Sequence, residues 1–132
     1  MSDNAERRTV AKASYGFVAG MLDPARVTHL LGLTPSSAHI RGELSPRTRT
    51  PWPWGVWWVE VVDVDVEPAA ASLLSLLRPR RQAIATVISE MSATPSVRLW
   101  WEPEGGQGGY SLSATTTRGL AEFADRIDFS FV

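Results

Sequence analysis

The sequence contains no cysteine. That excludes a disulfide framework, thiolate catalysis and a Cys-ligated metal. Histidine is scarce as well, with only His29 and His39, so a two-His zinc site would need two further ligands. No Gly-x-Ser-x-Gly turn presents a nucleophile. An excess of one charge is also missing: 13 basic side chains meet 14 acidic ones, for a net charge of −1. A general binder of nucleic acid or of an anionic membrane needs a strong basic excess, so neither is the expected partner. Long apolar runs are absent. Trp54–Val59 is stopped by Glu60, and Pro68–Leu77 is broken by Ser72 and Ser75. Both fall short of the ~20 residues a spanning helix requires. The first residues, MSDNAERRT, hold no apolar core for a signal peptide. The expected location is the cytoplasm, without membrane attachment.

What remains is a chain of 132 residues that is 44% hydrophobic. That length suits one domain with a real core, and that composition excludes wholesale disorder. Residues 1–8 have no apolar pattern and read as a flexible tail; the domain spans 9–132.

Residues 9–18 alternate as a strand, with Ala11, Ala13, Tyr15 and Phe17 on one face. Asp23-Pro24 opens a short helix, Val27, Leu30 and Leu31 stripe it, and Gly32 stops it. Residues 34–55 hold four prolines and read as a long loop with at most a short strand at 38–41. Val56–Val66 reads as the next strand. Glu60 falls in phase with Trp58 and Val62, which implies either a bulge or a buried, paired carboxylate. Two helices follow, from Glu67-Pro68 to Leu77 and from Arg80 to Met91, and are expected to form a helical hairpin. Val97–Glu102 alternates as a strand. Gly105–Gly109 reads as a turn, Tyr110–Leu112 as a short returning strand, Ser113 as the cap of a fourth helix, and 126–132 as a final strand. The predicted fold is a single small α+β domain. It has a mostly antiparallel sheet of four to five strands, helices on one face, and ferredoxin-like halves joined by the helical hairpin.

Several stretches together resemble a known family. They are Leu31-Gly32-Leu33-Thr34-Pro35, Arg41-Gly42-Glu43, the Trp57-Trp58 strand and Leu73-Leu74-Ser75-Leu76-Leu77-Arg78-Pro79. Gly109-Tyr110-Ser111-Leu112-Ser113 and Ile127-Asp128-Phe129 complete the set. The chain resembles the bacterial family called domain of unknown function 4279 over roughly residues 12–132. The resemblance implies a small α+β domain and carries no catalytic residues with it. Apart from Trp57-Trp58, the Trp/Pro-rich segment 51–58 and the Arg-rich segment 46–49 lie outside the stretches that carry the resemblance.

The remaining chemistry lies in four groups. Asp63, Asp65 and Glu67 form an acidic row, but strand residues two apart stand ~6–7 Å from each other, too far for all three to share one cation. A solvated, aggregation-resistant face is the simpler account. Arg78, Arg80 and Arg81 gather at the helical turn, where arginine offsets a helix dipole. Arg41, Arg47, Arg49, Trp52 and Trp54 lie in or beside the long loop; this mixture suits a protein surface, a nucleotide or a single-stranded nucleic acid. Trp57-Trp58 and Trp100-Trp101 are adjacent pairs, so each pair must divide between the two sheet faces. Trp57 with Trp100, or Trp58 with Trp100, on the outward face would make an apolar patch, unless segment 34–55 or the tail covers it.

The sequence therefore leads us to expect a non-catalytic protein-interaction domain of the immunity, inhibitor or accessory-subunit type. Its binding residues would be Arg41, Arg47, Arg49, Trp52, Trp54, Trp57 and Trp100. The partner would be another protein, with a homodimer as the alternative, and no metal, cofactor or catalytic set is expected. The competing reading is a small-molecule or nucleotide binder, or an enzyme, using His39 with the Arg and Trp of loop 38–55.

Overall fold

The computed structural model of the chain describes residues 10–102 and 111–131. The tail at 1–8, the glycine turn at 105–109 and Tyr110 lie outside the described residues. In chain order the elements are β1 (Val10–Ala19), α1 (Pro24–Leu31), β2 (Ser37–His39), β3 (Gly55–Asp63) and α2 (Val66–Leu77). A 3-10 turn (Arg78–Arg80) leads into α3 (Arg81–Met91), β4 (Thr94–Glu102), α4 (Ala114–Ala121) and β5 (Arg126–Phe131). The five strands make one sheet in the order β2-β3-β1-β4-β5.

The α+β class holds, with one amendment. β1 pairs antiparallel with both β3 and β4, and β2 antiparallel with β3, but β4 and β5 run parallel. The sheet is therefore mixed. The two outer strand–helix–strand units do not echo each other: β1 and β3 are antiparallel neighbours, whereas β4 and β5 are joined as a parallel crossover. Ser111 and Leu112 form no returning strand.

Alternation fixes the faces. Ala11, Ala13, Tyr15 and Phe17 of β1 share a face with Trp57 and Val59 of β3 and with Val97, Leu99 and Trp101 of β4. All of these are buried against α1–α4 in one apolar core. Trp57 is fully buried there, and its indole N–H donates to the Thr28 hydroxyl of α1 at 3.0 Å. The Tyr15 hydroxyl donates to the Phe123 carbonyl at 2.7 Å. Burial, with the Asp125 charge second, pushes the Tyr15 phenol well above the usual range and keeps it neutral.

The helix ends follow their local signals. Asp23 accepts from Arg26 N at 3.3 Å at the start of α1, and Gly32, at φ 66°, closes it with its N–H on the Thr28 carbonyl. Asp65 caps α2 one residue earlier than Glu67-Pro68 suggests, so β3 ends at Asp63 and Val66 is already helical. The expected hairpin is instead a bent helical run. α2 packs on α4 and α3 packs on α1, with the 3-10 turn between them. Arg80 holds this corner: its guanidinium donates to the Leu31 and Leu76 carbonyls, both at 2.8 Å, near the C-terminal ends of α1 and α2. Arg81 pairs with Glu122 at 2.8 Å and lies 4.7 Å from the Phe123 ring.

Glu60 resolves neither as a bulge nor as a buried pair. The β1–β3 register runs unbroken from Ala11↔Asp63 to Ala19↔Gly55, and Glu60 is exposed on the face away from the helices. It shares that face with Val62, which is also exposed, and with Trp58, which is not.

Candidate functional site

The helix-free face is built from Trp58, Glu60 and Val62 of β3, Lys12, Ser14 and Gly16 of β1, and Ser96, Arg98 and Trp100 of β4. Its aromatics are already occupied. Gly16 stands opposite Trp58 and lacks a side chain, so the indole lies directly on it. The Arg98 guanidinium sits 4.4 Å from the Trp58 ring centroid, and only 8% of Trp58 remains exposed. Lys12 is the direct cross-strand neighbour of Trp100, and its ammonium stands 4.8 Å from that ring. Trp100 is half-buried. Each outward Trp thus meets a cation, Trp100 from the adjacent strand β1 and Trp58 from β4 across Gly16 of β1, which replaces the open apolar patch expected from the sequence. By register the face is also charge-balanced: Lys12, Arg98 and Arg126 stand with Glu60, Glu102 and Asp128.

Trp57 is a correction. It lies on the helix side, fully buried, and cannot contact a partner. The parity rule divides the pair as expected, but the outward member is Trp58.

Loop 40–54 is a compact excursion from the β2–β3 edge, closed by its own backbone. Gly42 N donates to Trp52 O, Trp52 N to Glu43 O and Ser45 N to Thr50 O, each at 2.9 Å. Leu44 and Pro51 form an antiparallel bridge. Two left-handed residues turn the chain, Gly42 at φ 88° and Arg49 at φ 57°. Glycine adopts that region freely; arginine does so at a cost of roughly 1 kcal/mol, sustained by its N–H bond to the Ser45 carbonyl. Trp52 is half-buried and stacks on His39 of β2, with centroids 3.9 Å apart and planes 11° from parallel. This stack pins the loop to the sheet edge. His39 Nδ1 is buried with no hydrogen-bond partner among the described residues.

The loop therefore gathers five of the seven sequence-predicted residues. Arg41, Arg47 and Arg49 are exposed and make no ion pair among the described residues. Trp54 is 48% exposed, while Trp52 serves as the pin. Trp57 and Trp100 lie elsewhere. Sequence reasoning missed three exposed apolar residues here, Ile40 and Leu44 of the loop itself and Met21 beside it, with Met21 at 78% exposure. Met21, Leu22, Asp23, Ile40 and Arg41 line a cleft of about 280 Å³, where the Arg41 guanidinium approaches the Met21 sulfur at 3.8 Å. Gly55 packs against Leu22, so Trp54 and the Met21 turn lie at the same end of the sheet. The missed signal was a large apolar residue just past the end of a strand: Met21 follows β1 and Ile40 follows β2.

The acidic row does not hold together as a row. Asp63 ends β3, Asp65 caps α2, and Glu67 lies in the first turn of α2. The Glu67 carboxylate accepts from Thr116 Oγ1 at 2.5 Å and from Ser113 N at 2.8 Å, joining α2 to the start of α4. These bonds, Thr116 first and the Ser113 backbone next, hold its pKa below the usual Glu range. A lowered folded pKa gives stability that is full above the unfolded value near ~4.3 and is lost as pH falls through the folded value. Glu67→Ala should therefore cost about 1 kcal/mol at pH 7, less than a buried charge-assisted bond because solvent screens this half-exposed group. The gap from the wild type should close towards pH 3. Urea midpoints measured across that pH range check it; a gap independent of pH would refute the assignment.

A family model described as a domain of unknown function, DUF4279, matches residues 9–131. No curated protein and no solved structure matches the chain. No described helix is long and apolar enough to cross a membrane.

Proposed function

We propose that this chain, which belongs to the DUF4279 family, is a non-catalytic domain that binds a partner protein, as an inhibitor, immunity protein or accessory subunit does. The binding surface is loop 40–54 together with the Met21 turn. One observation carries the reading. Exposed Trp54, Leu44, Ile40 and Met21 stand with three exposed arginines that have no ion pair among the described residues, all at one end of the sheet. Tryptophan and arginine are the residues that most often dominate interface energy, and exposed apolar side chains grouped together mark interaction sites. The loop's own hydrogen bonds and its His39–Trp52 pin reduce the ordering cost that binding would otherwise carry.

The sheet face has less to offer than the sequence suggested. Trp58 and Trp100 already face Arg98 and Lys12, so a partner would have to displace those cations. The small-molecule alternative is also less well supported. Of the Arg, His and Trp group only Arg41 lines the cleft, whose volume lies under the ~300–1,000 Å³ typical of ligand pockets.

The test is a double charge reversal, Arg47→Glu with Arg49→Glu. Both side chains are exposed, so unfolding stability should change by less than about 0.5 kcal/mol per site. Co-purification of the native partner from host cells should fall at least tenfold. Undiminished capture by the variant, and by Trp54→Ala with Leu44→Ser, would sink the reading.

A further inference from the structure

The loop's charge and the cleft beside it suggest what kind of partner segment fits. Loop 40–54 carries three arginines against Glu43 alone, in a chain whose net charge is −1. The positive excess is therefore local, and the rest of the chain is net negative. It is not neutralised from within: the described ion pairs use Arg26, Arg81 and Arg126, never the loop arginines. The neighbouring sheet face, by contrast, balances its own charges. Arginine forks pair bidentately with carboxylates, so a surface of this kind complements an acidic one. Arg41 connects the two features, since it belongs to the charged loop and also lines the cleft with Met21 and Ile40. Asp23 lines that cleft too, but its carboxylate is turned to the start of α1, where it accepts from Arg26 N. At about 280 Å³ the cleft is sized for one large side chain rather than a nucleotide.

We propose that the occupant is an acidic segment of a partner protein, which seats one apolar side chain in the Met21–Ile40 cleft and sets its carboxylates against Arg41, Arg47 and Arg49. This rests on the interaction reading above and specifies the partner's chemistry. Pairing between exposed charges is screened, so binding should weaken as salt shortens the Debye length from ~10 Å at 0.1 M to ~3 Å at 1 M.

The experiment selects a displayed library of random 12-residue peptides against the full chain and, in parallel, against Arg47→Glu/Arg49→Glu. Peptides retained by the wild type should be enriched several-fold in Asp and Glu around a Leu, Ile, Met or Phe. The variant should lose that acidic enrichment. A synthetic peptide of the selected sequence should bind the wild type at least tenfold more tightly than the variant, and should weaken similarly when its apolar residue is replaced by serine. Retained peptides with no acidic bias, no retained peptides, or an acidic bias that survives charge reversal would each overturn the proposal. The native partner then separates this failure from that of the broader reading. If charge reversal leaves its capture intact while Trp54→Ala with Leu44→Ser abolishes it, the loop binds protein but not through acidic groups. If neither variant changes capture, both readings fall.

Discussion

Replacing Gly16 with alanine is expected to destabilise the domain by about 3 kcal/mol, the upper end for overpacking, or to prevent folding outright. For a chain of this length that corresponds to a fall in Tm of about 10 °C. The reason is a three-way contact in the middle of the sheet. A methyl group at Gly16 would stand 2.3 Å from Cδ2 of Trp58, 2.5 Å from its Cε3 and 2.5 Å from the Trp57 carbonyl oxygen. The carbonyl belongs to the β1–β3 ladder and cannot move without parting the two strands. The indole cannot move without leaving Arg98, which rests on it. Gly20→Ala supplies the control, because nothing lies within 4 Å of the Cβ it would add. That variant should match the wild type within about 0.5 kcal/mol. Thermal unfolding of both checks the pair; a Gly16→Ala protein as stable as Gly20→Ala would mean that Trp58 does not lie across β1.

The same contact explains where the sequence was legible and where it was not. β1 could be read because one of its faces is core and the other is small or polar, so period two shows cleanly. α1 could be read because Asp23, Pro24 and Gly32 each act locally. Segment 55–59 could not be assigned a face because all five residues are buried, Trp57 by the helices and Trp58 by Gly16 and Arg98. A strand covered on both sides shows no alternation, and the glycine that makes room for Trp58 lies some 40 residues away in the chain. The parallel course of β5 and the separate partners of α2 and α3 depend on tertiary packing and leave no trace in local periodicity. Segment 40–54 could be read as a loop from its prolines. Its internal hairpin could not, because proline argues against a ladder, and here Pro51 supplies a bridge without needing an N–H of its own. Met21 and Ile40 stand just past the ends of β1 and β2, where continued alternation does not tell a core residue from an exposed one.

Two tryptophans three positions apart should respond in opposite ways. Trp57→Ala is expected to cost about 4 kcal/mol, the range for removing a buried aromatic side chain. The side chain is fully buried, meets the Phe17 ring at 6.0 Å, and ties β3 to α1 through Thr28. Trp57→Phe should recover more than half of that loss. It keeps most of the apolar volume and gives up the indole N–H bond, and the half-buried Thr28 hydroxyl can turn to water. Trp54→Ala, at a site half open to solvent, should change stability by less than about 0.5 kcal/mol while lowering partner capture. Urea unfolding of the three variants, alongside capture measured at a temperature where all are folded, separates the roles. Equal destabilisation at positions 54 and 57 would place loop 40–54 in the core and remove the basis for a binding surface there. Loss of capture in Trp57→Phe at full folding would mean that α1 and its Met21 turn must be held in register for binding, because the Trp57 indole N–H is bonded to α1 through Thr28.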